Sequence, residues 1–386
     1  MHRRPVAAAL LALALGPVAA GCSSASSSSA SSSSATSSSA TTAPAPAQGV
    51  VAVRATVADG LDTPWGVAVL PGGDLLAGSR DTGRITRIAA DGGAKTDLGA
   101  VPGVAPAGEG GLLGLALSPG FATDHLVYAY LTAADDNRIV RLPYDPQAPA
   151  GARLGPPQTV LTGIPKGSNH NGGRIAFGPD GMLHAGTGES GRTALAQDLG
   201  SLGGKILRMT PDGAPAPGNP FPGSVVLSYG HRNVQGLAWD DQGRLWASEF
   251  GQNTWDELNL VQPGGNYGWP VVEGVGHRAG YLDPAATWHT ADASPSGIAF
   301  ADGAIWMAAL RGTRLWQIPV GATGAAGTPQ AHLDGAYGRL RTVVADRDGT
   351  LLLSTSNTDG RGEPRPGDDR ILRLAVTGAE SPSPSG

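Results

Sequence analysis

A six-bladed β-propeller, all-β with four-stranded antiparallel blades, is the fold this sequence predicts, and three observations predict it. The chain has 59 Gly and 31 Pro in 386 residues with only 15% charged residues, which favours many short strands over long helices. One hairpin pattern recurs six times, roughly 45–65 residues apart, the spacing of a propeller blade. Most copies then close with a strand of alternating basic and apolar residues.

In order, the hairpins begin Gly66-Val-Ala-Val-Leu-Pro-Gly-Gly-Asp, Gly114-Leu-Ala-Leu-Ser-Pro and Ile175-Ala-Phe-Gly-Pro-Asp-Gly. They continue with Gly236-Leu-Ala-Trp-Asp-Asp-Gln-Gly, Gly297-Ile-Ala-Phe-Ala-Asp-Gly and Val343-Val-Ala-Asp-Arg-Asp-Gly. Each is an apolar run, a Pro, Asp or Gly turn, and a second apolar run. The closing strands include Arg84-Ile-Thr-Arg-Ile, Arg138-Ile-Val-Arg-Leu, Lys205-Ile-Leu-Arg-Met and Arg370-Ile-Leu-Arg-Leu. The run Val50-Val-Ala-Val-Arg-Ala-Thr-Val is expected to close the ring with the last blade, which leaves few free edges.

The ends are not propeller. Residues 1–21 read as a signal peptide: Arg3 and Arg4, an apolar stretch from Val6 to Leu15 too short to span a bilayer, then Ala19-Ala20-Gly21. Cys22, the only cysteine, follows directly and resembles the lipidated cysteine of a bacterial lipobox, so no internal disulfide can form. Residues 22–48 are a charge-free Ser, Ala, Thr and Pro tether, 49–376 the propeller, and 377–386 a flexible tail. The expected location is the outer face of a bacterial cell membrane, or the periplasm, with the lipid as the only membrane contact. Losing Arg3 and Arg4 with the leader moves the net charge from −5 to −7, which argues against a nucleic-acid partner.

Chemistry belongs to the polar, glycine-rich segments that the repeat does not require. These are Gly108-Glu-Gly-Gly-Leu-Leu-Gly, Asn169-His-Asn-Gly-Gly-Arg, Gly230-His-Arg-Asn-Val-Gln-Gly, and Asp256-Glu-Leu-Asn with Gly264-Gly-Asn-Tyr-Gly-Trp-Pro. The block from Tyr229 to Pro270, with Ser248-Glu-Phe-Gly inside it, resembles the signature of the glucose/sorbosone dehydrogenase family, whose sugar dehydrogenases use pyrroloquinoline quinone (PQQ). The resemblance runs from about Thr63 to Leu374.

That resemblance implies oxidation of an aldose at C1 to the lactone, with hydride passing to PQQ and then to an electron acceptor the sequence does not name. His170 matches the general base, an imidazole being suited to proton transfer near neutral pH, and Glu189 its orienting partner. Arg232 and Asn233 match residues on the quinone, with Arg232 placed to stabilise charge on it. Glu109, Arg311 between the outer strands of the fifth copy, and the pair Arg339 and Arg341 complete the cofactor set. Clustered arginines are the natural complement of three carboxylates. Trp288 is implied as an aromatic near the sugar. Calcium is implied twice: on the backbone carbonyls of Gly251 and Gln252 beside the cofactor, and on the Glu257 side chain with the Tyr267 carbonyl.

The chain departs from the family in three ways. Glu109 stands where the family commonly has glutamine, Glu189 where it has aspartate, and Phe250 and Gln252 replace a polar residue and a proline. An alternative of another class keeps the scaffold without redox turnover: a propeller that binds sugars, glycans or a protein.

Overall fold

The structure, a computed structural model, describes residues 50–377; the signal peptide, Cys22 and nearly all of the tether and tail lie outside the described residues. It contains six sheets of four strands each, every neighbouring pair antiparallel. Blades one to five are consecutive meanders, starting at Pro64, Leu112, Ile175, Val234 and Pro295. Blade six takes Leu340–Ala345, Leu351–Thr355 and Ile371–Thr377 from the end of the chain and Val50–Ala58 from its start. The expected ring closure is therefore present, with Val53 opposite Leu374 in an antiparallel pair.

The core is divided rather than central. Six apolar clusters occupy the six blade-to-blade interfaces. Leu76, Ile85 and Leu98 of blade one face Leu112, Val127 and Leu142 of blade two. Val57, Ile371 and Leu352 of blade six face Val67, Leu75 and Ile88 of blade one. Strands buried on both faces must be apolar at nearly every position, which is why the repeats read as runs and not as alternations.

The innermost strands converge on the axis, and one position in the repeat governs how closely. Gly66, Gly114, Gly236 and Gly297 occupy it in blades one, two, four and five. A Cβ there would run into Leu113 O, Gly173 O, Ser296 O and the Thr342 backbone, each on the next blade, so only glycine permits the approach. Blades three and six carry Arg174 and Thr342 instead, and these are opposite members of the ring. Arg174 reaches across the channel to Thr342 and lies over the Trp65 ring, 4.3 Å from its centroid. Trp65 lines a polar cavity, and Arg174 lines a second one of about 290 Å³ among the innermost strands.

Candidate active site

The loops around the Trp65-lined cavity bring together segments from opposite ends of the propeller sequence, Arg80 donating to the Asp359 carbonyl across 279 positions. His170 lies just before the innermost strand of blade three, at φ +52°, a left-handed conformation that is uncommon outside glycine. Its carbonyl accepts the Ser190 N–H at 3.0 Å, and Gly188 passes so close beneath that carbonyl that a Cβ would collide with it. The loop is thereby fixed in a strained shape, as functional loops often are.

The imidazole is held as well. His170 Nδ1 is 2.6 Å from Glu189 Oε1, and Glu189 is almost wholly buried. A carboxylate is only an acceptor, so Nδ1 carries the proton and Nε2 is the acceptor nitrogen of the ring. Asn169 Nδ2, 3.4 Å from Nε2, is oriented to donate to it.

Arg232 and Asn233 sit against this pair. Glu189 N–H donates to Arg232 O at 3.0 Å, and Gly188 bridges Asn233. Burial lowers the affinity of Arg232 for its proton, and the nearby Glu189 carboxylate offsets part of that effect. The Arg232 guanidinium lies over Trp269 and donates to Phe250 O at 3.3 Å, but its Nε has no partner. Asn233 Oδ1 accepts the Gly172 N–H at 2.9 Å, while Asn233 Nδ2 and Glu189 Oε2 are also buried without partners. Three orphaned polar atoms in one cluster are costly unless a ligand satisfies them.

Beside this cluster opens a cavity of about 410 Å³. Glu109, Arg311, Arg339 and Arg341 line it, together with Trp65 and Phe250, whereas His170, Glu189, Arg232 and Asn233 do not. Arg311 falls between the second and third strands of blade five rather than between its outer ones. Sequence reading missed Arg80, Gln235, Asp359 and Arg361, which line it too. Asp359 is the anchor: its Oδ2 accepts from Arg339 Nη2 at 2.9 Å and Arg341 Nη2 at 3.3 Å. Those arginines hold its carboxyl below the usual range against the opposing effect of burial. Five arginines against two lining carboxylates leave the cavity strongly cationic.

His231, read from sequence as a loop-shaping residue, is completely buried. It bonds Ser228 Oγ at 2.8 Å and Glu249 Oε1 at 2.7 Å and stacks on Tyr267. Glu249 Oε2 in turn accepts the Arg232 N–H at 2.7 Å, so this histidine supports the arginine's loop. Trp288 corrects an expectation. It lies on the outermost strand of blade four, buried between blades four and five against Trp316, and does not line the cavity.

The expected metal residues are arranged in two places. Glu257 lies directly opposite Glu249 on adjacent strands, an unfavourable pairing of like charges. Burial, then the Glu249 charge, pushes the Glu257 carboxyl well above the usual carboxylate range. Asn259 donates to both carboxylates, yet its own Oδ1 is buried without a partner. Among the described residues, the carbonyls of Gly251, Gln252 and Tyr267 accept no hydrogen bond. No three His, Cys, Asp or Glu side chains converge as a metal cage among the described residues. Any cation here would depend on these carbonyl oxygens and one or two carboxylates.

Comparison with known proteins agrees with this architecture. The family model described as Glucose / Sorbosone dehydrogenase matches residues 61–372. The PQQ-bound aldose sugar dehydrogenase of Streptomyces coelicolor is 67% identical, covering 86% of this chain and all of its own, with a TM-score of 0.85. The aldose sugar dehydrogenase of Escherichia coli is 34% identical over 238 residues, 59% of this chain and 64% of that protein. Quinoprotein glucose dehydrogenase B of Acinetobacter calcoaceticus is 30% identical over 288 residues, 65% of this chain and 60% of that protein. The chain thus spans a little under two thirds of the length of these two relatives.

Proposed function

The chain belongs to the glucose/sorbosone dehydrogenase family, and from that membership we propose that it oxidises aldose sugars at C1 to the lactone with PQQ as its cofactor. One observation carries the reading. A cationic cavity of about 410 Å³ is joined through two of its lining residues, Glu109 and Phe250, to the loops of the His170–Glu189 pair and Arg232, where three buried polar atoms have no partner. The donor set fits the cofactor: arginines for its carboxylates, Arg232 Nε and Asn233 Nδ2 for its carbonyl oxygens. When bound, the quinone supplies the acceptor for the C1 hydride.

The chain's own part is orientation and proton transfer. His170 Nε2 takes the C1 hydroxyl proton, and Glu189 keeps the ring in the required tautomer and stabilises the imidazolium that forms. Arg232 places a half-buried positive charge where negative charge develops. Calcium on the Gly251 and Gln252 carbonyls would reinforce that charge, and a second ion at Glu257 and the Tyr267 carbonyl would relieve the opposed carboxylates of blade four.

Export through the leader and lipidation of Cys22 are part of the proposal, supported by the order of basic, apolar and small residues before that cysteine. The test of the function is direct. Purified apo-protein is reconstituted with PQQ and calcium, and dye reduction is followed with a panel of aldoses. Oxidation of at least one aldose, absent without PQQ, is expected. If PQQ binds and no sugar is oxidised, the propeller is a binding module instead.

A further inference from the structure

Glu109 poses a physical problem for a cavity that accepts an anion. It projects a carboxylate into the wall of the same cavity that Arg80, Arg311, Arg339 and Arg341 make cationic. Its position is not adjustable. The Glu109 N–H donates to Ser168 O at 2.9 Å, and its Oε2 accepts the His170 N–H at 3.0 Å. The preceding Gly108, at φ +59°, passes Ser168 too closely for any side chain. Glu109 therefore anchors the loop of the candidate base and cannot swing away.

Its remaining oxygen has one partner. Arg361, on the blade-six loop between Thr355 and Ile371, places Nη1 2.7 Å from Glu109 Oε1. Of the other cavity arginines, Arg80 is committed to Asp81 and Arg339 and Arg341 to Asp359, while Arg311 makes no ion pair among the described residues. Arg361 makes no other side-chain ion pair among the described residues, and its side chain is 61% exposed, against 18% for Glu109. An exposed ion pair of this kind adds little to stability. Its position at the cavity wall gives it another use.

We propose that Arg361 is the counter-ion that makes Glu109 compatible with an anionic cofactor, a positioning residue for PQQ retention that acts through Glu109. The proposal rests on the PQQ reading above. The carboxylate is retained because it fixes the His170 backbone, and Arg361 cancels the repulsion that the same carboxylate would exert on the cofactor. Without Arg361 the Glu109 carboxylate loses its one ion pair and keeps only the longer-range compensation of Arg80 and Arg341. With glutamine at position 109 the amide oxygen still accepts the His170 N–H, and Arg361 has nothing to neutralise.

The experiment is a double-mutant cycle on apo-protein. PQQ affinity is measured by quenching of tryptophan fluorescence, Trp65 lining the cavity, at low and high salt. Arg361→Gln is expected to weaken PQQ binding about tenfold, the order for one unscreened like charge at short range. Arg361→Lys should restore most of the loss. In a Glu109→Gln background the same Arg361→Gln change should cost less than about twofold, and its wild-type penalty should shrink at 0.5 M salt. An equal penalty in both backgrounds, or none in the wild type, overturns the proposal. Failure of the wild type itself to bind PQQ overturns the functional reading, and this inference with it, and is seen before any variant is compared.

Discussion

Arg174 of blade three and Thr342 of blade six meet across the central channel, Nη2 to Oγ1 at 3.0 Å, where four of the six blades have glycine. Arg174 Nε also donates to Gln235 O at 2.8 Å, and Thr342 Oγ1 donates to Trp65 O at 2.6 Å. The guanidinium is buried with no carboxylate beside it, and burial, together with Arg341 nearby, drives its proton affinity down. It fills the channel at an electrostatic cost, and beneath Trp65 it forms the floor support of the cofactor cavity.

Arg174→Gly should therefore destabilise the fold by about 2–4 kcal/mol, because the channel cannot collapse around the missing volume. Arg174→Met keeps most of the volume and removes an unpaired buried charge, so its cost should stay within about 1.5 kcal/mol. Chemical denaturation of both variants is the measurement. If methionine costs as much as glycine, the hydrogen bonds and not the volume hold the channel closed.

Stability should also depend on pH through His184. This residue is buried in blade three, edge-on to Trp239 at 5.0 Å, and burial pushes it down to about 4. In the unfolded chain it returns to its ordinary value near 6.5. Between those values the unfolded state binds more protons, so stability is complete above pH 6.5 and falls as pH drops toward 4. The loss should reach about 3 kcal/mol at most. His184→Phe should flatten urea midpoints over that window, and an unchanged slope would place the dependence elsewhere.

Asp359→Asn should separate folding from cofactor binding. Removing the acceptor shared by Arg339 and Arg341 leaves two cations facing each other, at a cost of about 2–4 kcal/mol. The same change makes the cavity more positive, so PQQ affinity at low salt should rise in the folded fraction. A variant that is both less stable and weaker in binding would mean that Asp359 serves mainly to aim the arginines.

Calcium should stabilise the wild type more than a variant without the opposed carboxylates. At a hundredfold excess over its dissociation constant one ion is worth about 2.7 kcal/mol. Chelation should lower the melting temperature accordingly. Glu257→Gln replaces a carboxyl that burial and Glu249 already hold toward its neutral form, so the chelated protein should change little while the part of the calcium response owed to this site is lost. A response undiminished by Glu257→Gln would place the ion at Gly251 and Gln252 alone.

The propeller was legible because its physics repeats. Six blades need six hairpins with the same turn and the same apolar face, and closing the ring needs one orphan strand at the start. The cavity was legible only in part. His170, Glu189 and the Arg339–Arg341 pair carried a resemblance, but Arg80, Asp359 and Arg361 sit in loops whose composition is ordinary. Only the closure of the ring brings Arg361 to Glu109, across 252 positions. Trp288 misled for the converse reason: an aromatic near a signature block looks functional, yet an outer strand of a propeller needs large apolar residues to fill the next interface. Arg174 did carry a signal, the one arginine in a column of glycines, visible once the copies are aligned on Gly66.

The proposed mechanism turns on the contact between His170 and Glu189. His170 owes its ring position to the 2.6 Å bond from Nδ1 to Glu189, and its backbone position to Glu109 and Gly188. Removing the ring by His170→Ala leaves the arginine-lined cavity intact, so PQQ should bind with nearly wild-type affinity while turnover falls about 10²–10⁴-fold, the worth of a positioned base. Glu189→Gln keeps a hydrogen-bonding group of the same length, but its buried environment then offers the imidazolium no charge. Its amide oxygen can still accept from Nδ1, so the tautomer survives and the loss should be smaller than for His170→Ala. Should Glu189→Gln instead match His170→Ala, the carboxylate's charge and not its aim is what the reaction needs. Near-normal activity in His170→Ala would remove this histidine from the reaction and leave the orphaned Arg232 and Asn233 donors without a base beside them.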